Sequence, residues 1–414
     1  NLSNANGGDA IQNTANSYLI SAPGYYRIPL VYGNAVKGGT TNASSYKTAH
    51  TGTDILSNFK DHLGNDITTP YINMQNTSNP ATQASIVWMD QKDLVDGLTV
   101  TNNGDKSFVN FHVSAANIKN GNAVIAVKSA DGTIMWSWHL WFDHSDALST
   151  IACTNHEGDN FKVTKNILGY TLYKWKSTSY ESPRVARMKI EQEVGNGAKK
   201  SAYITITQSP YAEREYSTAL YQFGRKDAFP GTNTLYESTF VENGGNNISI
   251  VNAIQNPGTF YTDGNKWGTE YRYFNLWSMQ TTSQTDASKT LVKTVYDPCP
   301  VGFTMPPLKT FSGATTTGKT NTNNKDINAL GNWDQGWHFY AKDSSSPSTV
   351  YYPAIGSRTA SAGKLYGVKD RGYYWVGVPS STSAGNNLDI RNTIVIPANN
   401  LNRAVGCSIR PVAE

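Results

Sequence analysis

Alternation between hydrophobic and polar residues predicts β-strands along the first part of the chain. Residues 18–21 and 25–32 are rich in aromatic and β-branched side chains, and a Pro-Gly turn separates them. In the stretch "KSFVNFHV", every second residue from Val109 to Val113 is apolar, the pattern of a strand with one buried face. We therefore expect several strands before residue 148.

The run "GNAVIAVKSADGTIMWSWHLWF" predicts a β-hairpin. Its Asp-Gly pair supplies a positive-φ turn, and β-branched or aromatic residues fill both arms. Strand periodicity places Trp136 and Trp138 on one face of the second arm and His139 and Trp141 on the other.

A second hairpin is predicted by "RVARMKIEQEVGNGAKKSAYITITQ", with its turn at the Asn-Gly pair. One face of its first arm carries Arg187, Lys189 and Glu191. The opposite face is apolar over both arms, and its members are Ala186, Met188, Ile190, Ala202, Ile204 and Ile206. Because one face is charged and the other apolar, we expect the apolar face of this hairpin to pack on another part of the protein.

These patterns predict a mainly β protein. Residues 1–16 are expected to form a flexible leader, residues 17–148 a β-sandwich domain, and residues 149–414 a second domain that carries the hairpin at about 183–209. The best short helix candidate is "DILSNFKDHL". The run "FSGATTTGKTNTNNKDINALGNWDQG" predicts a long polar loop, and such loops are usually functional or disordered.

Composition excludes several classes of function. Only 16% of residues are charged, the net charge is +4, and Lys and Arg are scattered, so we expect no nucleic-acid partner. No apolar run approaches the roughly 20 residues of a transmembrane helix. No signal peptide is evident in "NLSNANGGDA", so we expect a precursor whose N-terminus was processed or trimmed, which leaves export open.

Reactive groups are too scattered to predict catalysis. His139 and His144 have opposite strand parity and would point to opposite faces, which is poor geometry for a metal site with Asp143. Nothing marks Cys153, near His156, as an activated thiol. The sequence therefore predicts no catalytic residue, no metal site and no cofactor.

The end of the long polar loop, "NWDQGWHFY", combines aromatic and polar side chains suited to sugars. Aromatic faces stack on pyranose rings, while Asn, Asp and Gln fix hydroxyl groups by hydrogen bonds. For each tryptophan taken singly, the alternative is burial in the core. With the stretch "KDRGYYW" included, the candidate ligand-binding residues are Trp333, Asp334, Gln335, Trp337, Arg371, Tyr373 and Tyr374.

Four motifs in the second half occur in a recognisable order. They are "YQFGRKDAFPG" from Tyr221, "YDPCPVGFTMPP" from Tyr296, "GYYWVGVP" from Gly372 and "NRAVGCSIRPV" from Asn402. Together they resemble the major paralogous domain known as FISUMP, which is found on secreted bacterial proteins. This resemblance implies an α+β, C-type-lectin-like fold whose last strand closes the domain beside its first.

The resemblance also implies a disulfide, which here would link Cys299 to Cys407. One departure concerns the family's terminal cysteine, which usually follows the arginine where this chain has Pro411. Cys407 lies earlier on the same strand face. The alternative is two buried free thiols that act as small apolar residues.

The first half resembles the region that precedes this domain in fimbrillin-type surface proteins. "TANSYLISAPGYYRIPLVYGNAVKGG" and "GNAVIAVKSADGTIMWSWHLW" carry that likeness, which implies an immunoglobulin- or fimbrillin-like sandwich. The expected function is a non-enzymatic cell-surface adhesin, a tip or accessory subunit of a fimbrillin-type pilus that recognises a glycan or protein receptor. The expected location is the cell surface or fimbrium, with outer-membrane association through a precursor lipid anchor or the pilus.

Such pili polymerise by donating a β-strand to a neighbouring subunit. The final stretch "CSIRPVAE" is expected to close its own domain, so this subunit would accept a strand but not donate one. Calcium-dependent lectins of this fold use Glu-Pro-Asn and Trp-Asn-Asp motifs, and neither occurs here in that order.

Two rival functions stay open. One is a glycan-binding surface lipoprotein of a polysaccharide-uptake system, which would need a defined aromatic platform for soluble oligosaccharides. The other is an enzyme related to formylglycine-generating proteins, which would need paired reactive cysteines near one pocket.

Overall fold

The computed structural model describes residues 1–176, 184–208, 213–287 and 289–414, and the chain is mainly β-structure. The α-helices of these residues are four to six residues long, and none could span a membrane. They are Ile72–Gln75, Ile250–Gln255 and Lys266–Thr269, and the short 3₁₀ turns are Ala43–Ser45, Gly104–Lys106, Ser312–Ala314 and Asn324–Asp326.

The helix predicted at "DILSNFKDHL" is wrong. Residues 54–63 form turns and isolated bridges instead. The Asp61 carboxylate accepts hydrogen bonds from the backbone N–H groups of Leu63 and Asn65, both at 2.9 Å. Aspartate side chains that bind nearby backbone in this way compete with helix formation.

The largest sheet of the first half, which we name the tryptophan sheet, has five strands. Its first strand pairs in parallel with the second arm of the predicted Trp136–Trp138 hairpin, and the remaining neighbours are antiparallel. In sheet order the strands are Ser17–Ile20, Ile134–Phe142, Gly121–Ser129, Ala81–Met89 and Glu237–Ser238. The predicted hairpin is thus confirmed.

A three-stranded sheet lies against the tryptophan sheet. Its strands, in order, are Gly24–Pro29, Phe108–Val113 and Asp96–Thr101. Ile28, Val109 and Phe111 from this sheet join Trp136 and Trp138 in one buried hydrophobic cluster. A minor hairpin pairs Val36–Lys37 with Thr40–Thr41.

Both faces of the tryptophan sheet are buried. The face opposite Trp136 and Trp138 packs against the second half of the chain, where Ser137 donates to the Asp227 carboxylate at 2.9 Å. From a neighbouring strand, Trp88 donates its indole N–H to the Ala228 carbonyl at 2.9 Å.

Four further sheets of the first unit are formed by residues after 148. The first contains, in sheet order, Thr150–Thr154, Asn160–Thr164, Val412–Ala413 and Phe303–Thr304. The second contains Phe229–Pro230, Ala219–Gln222, Gly406–Cys407, Ser357–Arg358 and Leu365–Tyr366. The third contains Ala329–Leu330, Gly336–Tyr340 and Thr349–Pro353, and the fourth contains Arg371–Pro379, Ala384–Arg391 and Val395–Asn402. The end of the chain is therefore paired within its own unit, as expected for "CSIRPVAE".

The proline-rich stretch around Cys299 is a rigid connector that holds this closing strand. The buried Asp297 carboxylate accepts from the backbone N–H groups of Cys299 at 2.7 Å and Met305 at 3.1 Å. Burial raises the pKa of Asp297, and the Lys293 ammonium opposes that rise. The connector leads directly into Phe303–Thr304, which pairs with Val412–Ala413.

The chain divides into two compact units, and neither border falls near the boundary predicted at residue 148. Residues 1–171 and 218–414 form one unit, and residues 172–217 form the other. The two halves of the first unit are not separate domains, because the tryptophan sheet is buried between the three-stranded sheet and the second half of the chain.

Residues 1–16, predicted as a flexible leader, belong to the first unit. Asn16 is fully buried and donates to the carbonyls of Val295 and Asp297 at 2.7 and 2.8 Å. The backbone N–H of Leu2 donates to the backbone carbonyl of Arg27 at 2.9 Å. Residues 14–16 of this segment are thus buried in the fold, while residues 5–10 are exposed.

The second unit contains two pairs of strands. Thr171–Lys176 begins at its border and pairs with Glu213–Ser217. The predicted second hairpin is confirmed as Arg184–Glu193 paired with Lys199–Gln208; residues 183 and 209 lie outside the described residues. Its apolar face, expected to be packed, is instead exposed: Met188, Ile190, Ile204 and Ile206 show 44–51% of their surface.

Candidate functional site

The loop that carries Trp333 is shaped by a strained turn. Gln335 has φ +51, a left-handed conformation that is uncommon for residues other than glycine. Three hydrogen bonds hold this turn. The Ala354 N–H donates to the Gln335 carbonyl at 2.7 Å, and the Tyr351 hydroxyl donates to the carbonyls of Asp334 and Gln335 at 2.9 and 3.1 Å. Left-handed residues of this kind recur at binding sites.

Trp337 anchors the wall of the site. It is the second residue of the strand Gly336–Tyr340, is 6% exposed, and donates its indole N–H to the Arg391 carbonyl at 2.9 Å. Trp333, half-buried at the rim, packs edge-on against it, with ring centroids 5.5 Å apart and an interplanar angle of 74°. One tryptophan is thus fixed in place and the other leaves part of its ring open.

A second loop closes the opposite side. Asn321 accepts from the Val395 N–H at 2.6 Å and donates to the Thr393 carbonyl at 2.9 Å. These bonds tie the polar loop around Asn324 to the turn that carries Asn392. Residues far apart in sequence are thereby brought beside the two tryptophans.

The result is a concavity of about 370 Å³, within the range of small-ligand sites. In the described part of the chain, the side-chain amides of Asn324, Asn332 and Asn392 have no hydrogen-bond partner, and all three residues are exposed. Among the described residues, the concavity is lined by Asn324, Ile327, Ala329, Gly331, Asn332, Trp333, Trp337 and Asn392. None of these lining residues has a charged side chain. An aromatic edge with unpaired amides suits a neutral ligand rich in hydroxyl groups.

The other sequence candidates do not line this concavity. Asp334 and Gln335 shape the turn through their backbones. Arg371 lies over the Tyr366 ring, 5.2 Å from its centroid. Tyr373 is 6% exposed and belongs to the buried core.

Tyr374, predicted as a ligand-binding residue, lies away from the concavity. It is fully buried, and its hydroxyl donates to the Pro353 carbonyl. Burial raises the pKa of this phenol well above its ordinary value. Strand alternation alone could not reveal this, because both faces of the strand Arg371–Pro379 are covered.

The predicted Cys299–Cys407 disulfide is absent, and both cysteines are fully buried free thiols. The Cys299 thiol points to the Met305 sulfur at 3.9 Å. Cys407 instead pairs through its backbone with Tyr221. Burial raises the pKa of both thiols well above the ordinary value. They fill the core as small apolar side chains, the alternative that the sequence left open.

His139 and Cys153, which the sequence did not favour as reactive groups, lie in buried surroundings that give them structural roles. His139 accepts from the Tyr221 hydroxyl at 2.8 Å on Nδ1 and donates to the Asn122 amide oxygen at 2.8 Å from Nε2. Burial lowers the pKa of His139 to about 3. Burial also raises the pKa of the Cys153 thiol to about 11, so it is not an activated nucleophile. Over the described ranges, no three His, Cys, Asp or Glu residues cluster as metal ligands would.

A second cavity, of about 290 Å³, lies beside the closing strand, but its charged groups are already engaged. Lys37 forms an ion pair with Glu414, and Lys293 donates to the carbonyls of Cys299 and Pro300 at 2.5 and 2.8 Å. The tryptophan concavity is therefore the better candidate.

Sequence reasoning identified the two tryptophans but missed the three asparagines. They come from three loops with no shared spacing, so no local pattern could group them. Compared with family models, curated proteins and solved structures, the chain matches none.

Proposed function

We propose that this chain is an exported, non-enzymatic cell-surface adhesin that binds a neutral glycan in the concavity of Trp333 and Trp337. The observation that carries the proposal is the set of three unpaired, exposed amides beside a partly open indole ring. Amide groups can donate to and accept from sugar hydroxyls, and an indole face can stack on a pyranose ring.

The geometry favours a short or terminal sugar unit over an extended chain. The two indole rings meet at 74°, so they do not form one flat platform. The ring of Trp337 is almost covered, which leaves one principal stacking surface. This supports an adhesin that recognises a glycan end more than an uptake protein that grips a long polysaccharide.

The position in a pilus is part of the same proposal. Val412–Ala413 pairs with Phe303–Thr304 on one side and with Val163 on the other. A strand held on both sides of its own unit is not available for donation to a neighbour. This supports a subunit of the fimbrillin type that accepts a strand, at a tip or accessory position, with a FISUMP-like second half.

A glycan array probed with the full chain tests the proposal. We expect discrete binding to neutral glycans, and at least a tenfold loss of affinity for Trp333→Ala, which corresponds to about 1.4 kcal/mol. Asn332→Ala should weaken the same hits because it removes one amide hydrogen-bonding group.

The matched control is Tyr236→Ala, which removes an aromatic side chain that is 51% exposed and does not line the concavity. It should leave every hit unchanged. An array without hits, or hits that survive Trp333→Ala, would reject the proposal.

A further inference from the structure

The hairpin Arg184–Glu193/Lys199–Gln208 is a sheet of only two strands in the described residues. The outer edge of each arm therefore presents backbone N–H and C=O groups without a strand partner there. Open edges of this kind pair readily with another strand, and an isolated hairpin is only marginally stable in water.

The first arm has a charge gradient along its polar face. Arg187 and Lys189 lie towards its start, and Glu191 and Glu193 lie at its end. All four are exposed. Within one chain, Glu191 forms ion pairs with Lys189 at 2.6 Å and with Lys199 at 3.2 Å.

An antiparallel pairing of two such arms would match these charges. If the two-fold axis passes midway between Ile190 of one copy and Ile190 of the other, residues equidistant from Ile190 face each other across the two strands. Arg187 then lies opposite Glu193 of the second copy, and Lys189 lies opposite Glu191. The symmetry repeats both matches, so opposite charges face each other at every charged position from 187 to 193.

The same register joins the apolar faces. Ile190 meets its own copy at the axis, and the cross-strand pair of Met188 and Ile204 lies next along each hairpin. These three side chains are 44–49% exposed in the single chain. Hydrophobic cross-strand pairs stabilise a sheet, so the combined four-stranded sheet gains contacts that one hairpin lacks.

The outer edge of the second arm, Lys199–Gln208, lacks this charge complementarity. Its charged residues, Lys199 and Lys200, lie together at one end, and no acidic residue follows in that strand. Antiparallel self-pairing of this edge would leave the lysines without opposite charges. Complementarity therefore selects the first arm.

We propose that two copies of this chain pair through the outer edges of Arg184–Glu193, antiparallel and centred on Ile190. Backbone hydrogen bonds supply the attraction, and the exposed charges set the register and exclude other partners. This pairing does not depend on glycan binding.

Sedimentation velocity of the full chain over a range of concentrations tests this. Wild type should show a reversible monomer–dimer equilibrium. Arg187→Glu and Glu193→Arg should each weaken dimerisation at least tenfold, because each places like charges opposite one another twice. The double variant, Arg187→Glu with Glu193→Arg, should restore the wild-type affinity because the exchanged charges match again.

Lys200→Glu is the matched control: it reverses a charge on the arm that stays on the outside, and dimerisation should not change. A wild type that is monomeric at all concentrations would overturn the proposal. So would a dimer that ignores Arg187→Glu, or a double variant no better than the single ones.

Discussion

The two predicted hairpins share a local design but differ in their surroundings. Each has antiparallel arms joined by a turn with a positive-φ glycine, Gly132 at φ +88 and Gly197 at φ +78. The hairpin Gly121–Ser129/Ile134–Phe142 is buried on both faces, whereas Arg184–Glu193/Lys199–Gln208 is exposed on both. Turn chemistry and alternation thus set the pairing and the register, but not what covers each face.

The difference is visible in the residues between the apolar positions. The first hairpin contains the uninterrupted run "AVIAV", the mark of a strand buried on both sides. The second places Arg187, Lys189 and Glu191 between its apolar residues, which keeps one face in water. These alternating charges account for the exposure of the polar face, but not for that of the apolar face.

The same substitution in both hairpins should break this comparison most strongly. Ile125→Ala removes a fully buried side chain and should lower the free energy of unfolding by about 2–5 kcal/mol, since it leaves a cavity. Ile204→Ala removes one that is 44% exposed and should cost within about 0.5 kcal/mol. Urea unfolding followed by tryptophan fluorescence measures both.

Circular dichroism of the folded variants serves as the control for intact β-structure. Equal losses for the two substitutions would contradict the comparison, because they would mean that the second hairpin's apolar face is covered in solution.

Acid should destabilise the buried hairpin, because its second arm carries His139. His139 has a pKa of about 3 in the fold because it is buried, whereas a histidine in the unfolded chain titrates near the ordinary value of 6.5. Between pH 6.5 and pH 3 the unfolded state therefore binds a proton that the folded state does not. Stability from this group is complete above pH 6.5 and is lost as pH falls, with a slope of up to about 1.4 kcal/mol per pH unit.

Unfolding of wild type and His139→Gln at several pH values measures that slope. The variant should lose stability less steeply on acidification, although it starts from a lower value at neutral pH. His144→Gln, at an exposed neighbouring position, is the matched control. Parallel curves for wild type and His139→Gln would contradict a neutral, buried imidazole.

Strands and turns could be predicted because their signals are local. Long-range features could not: no local pattern shows that residues distant in sequence cover the second face of the tryptophan sheet. Small polar residues such as those of 1–16 resemble a mobile segment in sequence, whereas in the fold Asn16 donates to the Val295 carbonyl.

The sequence could predict the two tryptophans of the candidate site but not its three asparagines. Trp333 and Trp337 lie in one short motif, whereas Asn324, Asn332 and Asn392 meet only through loop contacts such as those of Asn321. The fixed orientation of Trp337 depends on the Arg391 carbonyl, which no sequence pattern connects to it.

The most direct test of the central claim is ¹⁹F NMR of the full chain labelled with fluorotryptophan. The labelled protein is titrated with the neutral oligosaccharide that binds best on the array, and resonances are assigned by substituting each tryptophan in turn. Only the signals of Trp333 and Trp337 should shift, in a saturable manner, among the 10 tryptophans. Unchanged signals from these two residues, or shifts confined to other tryptophans, would contradict the account.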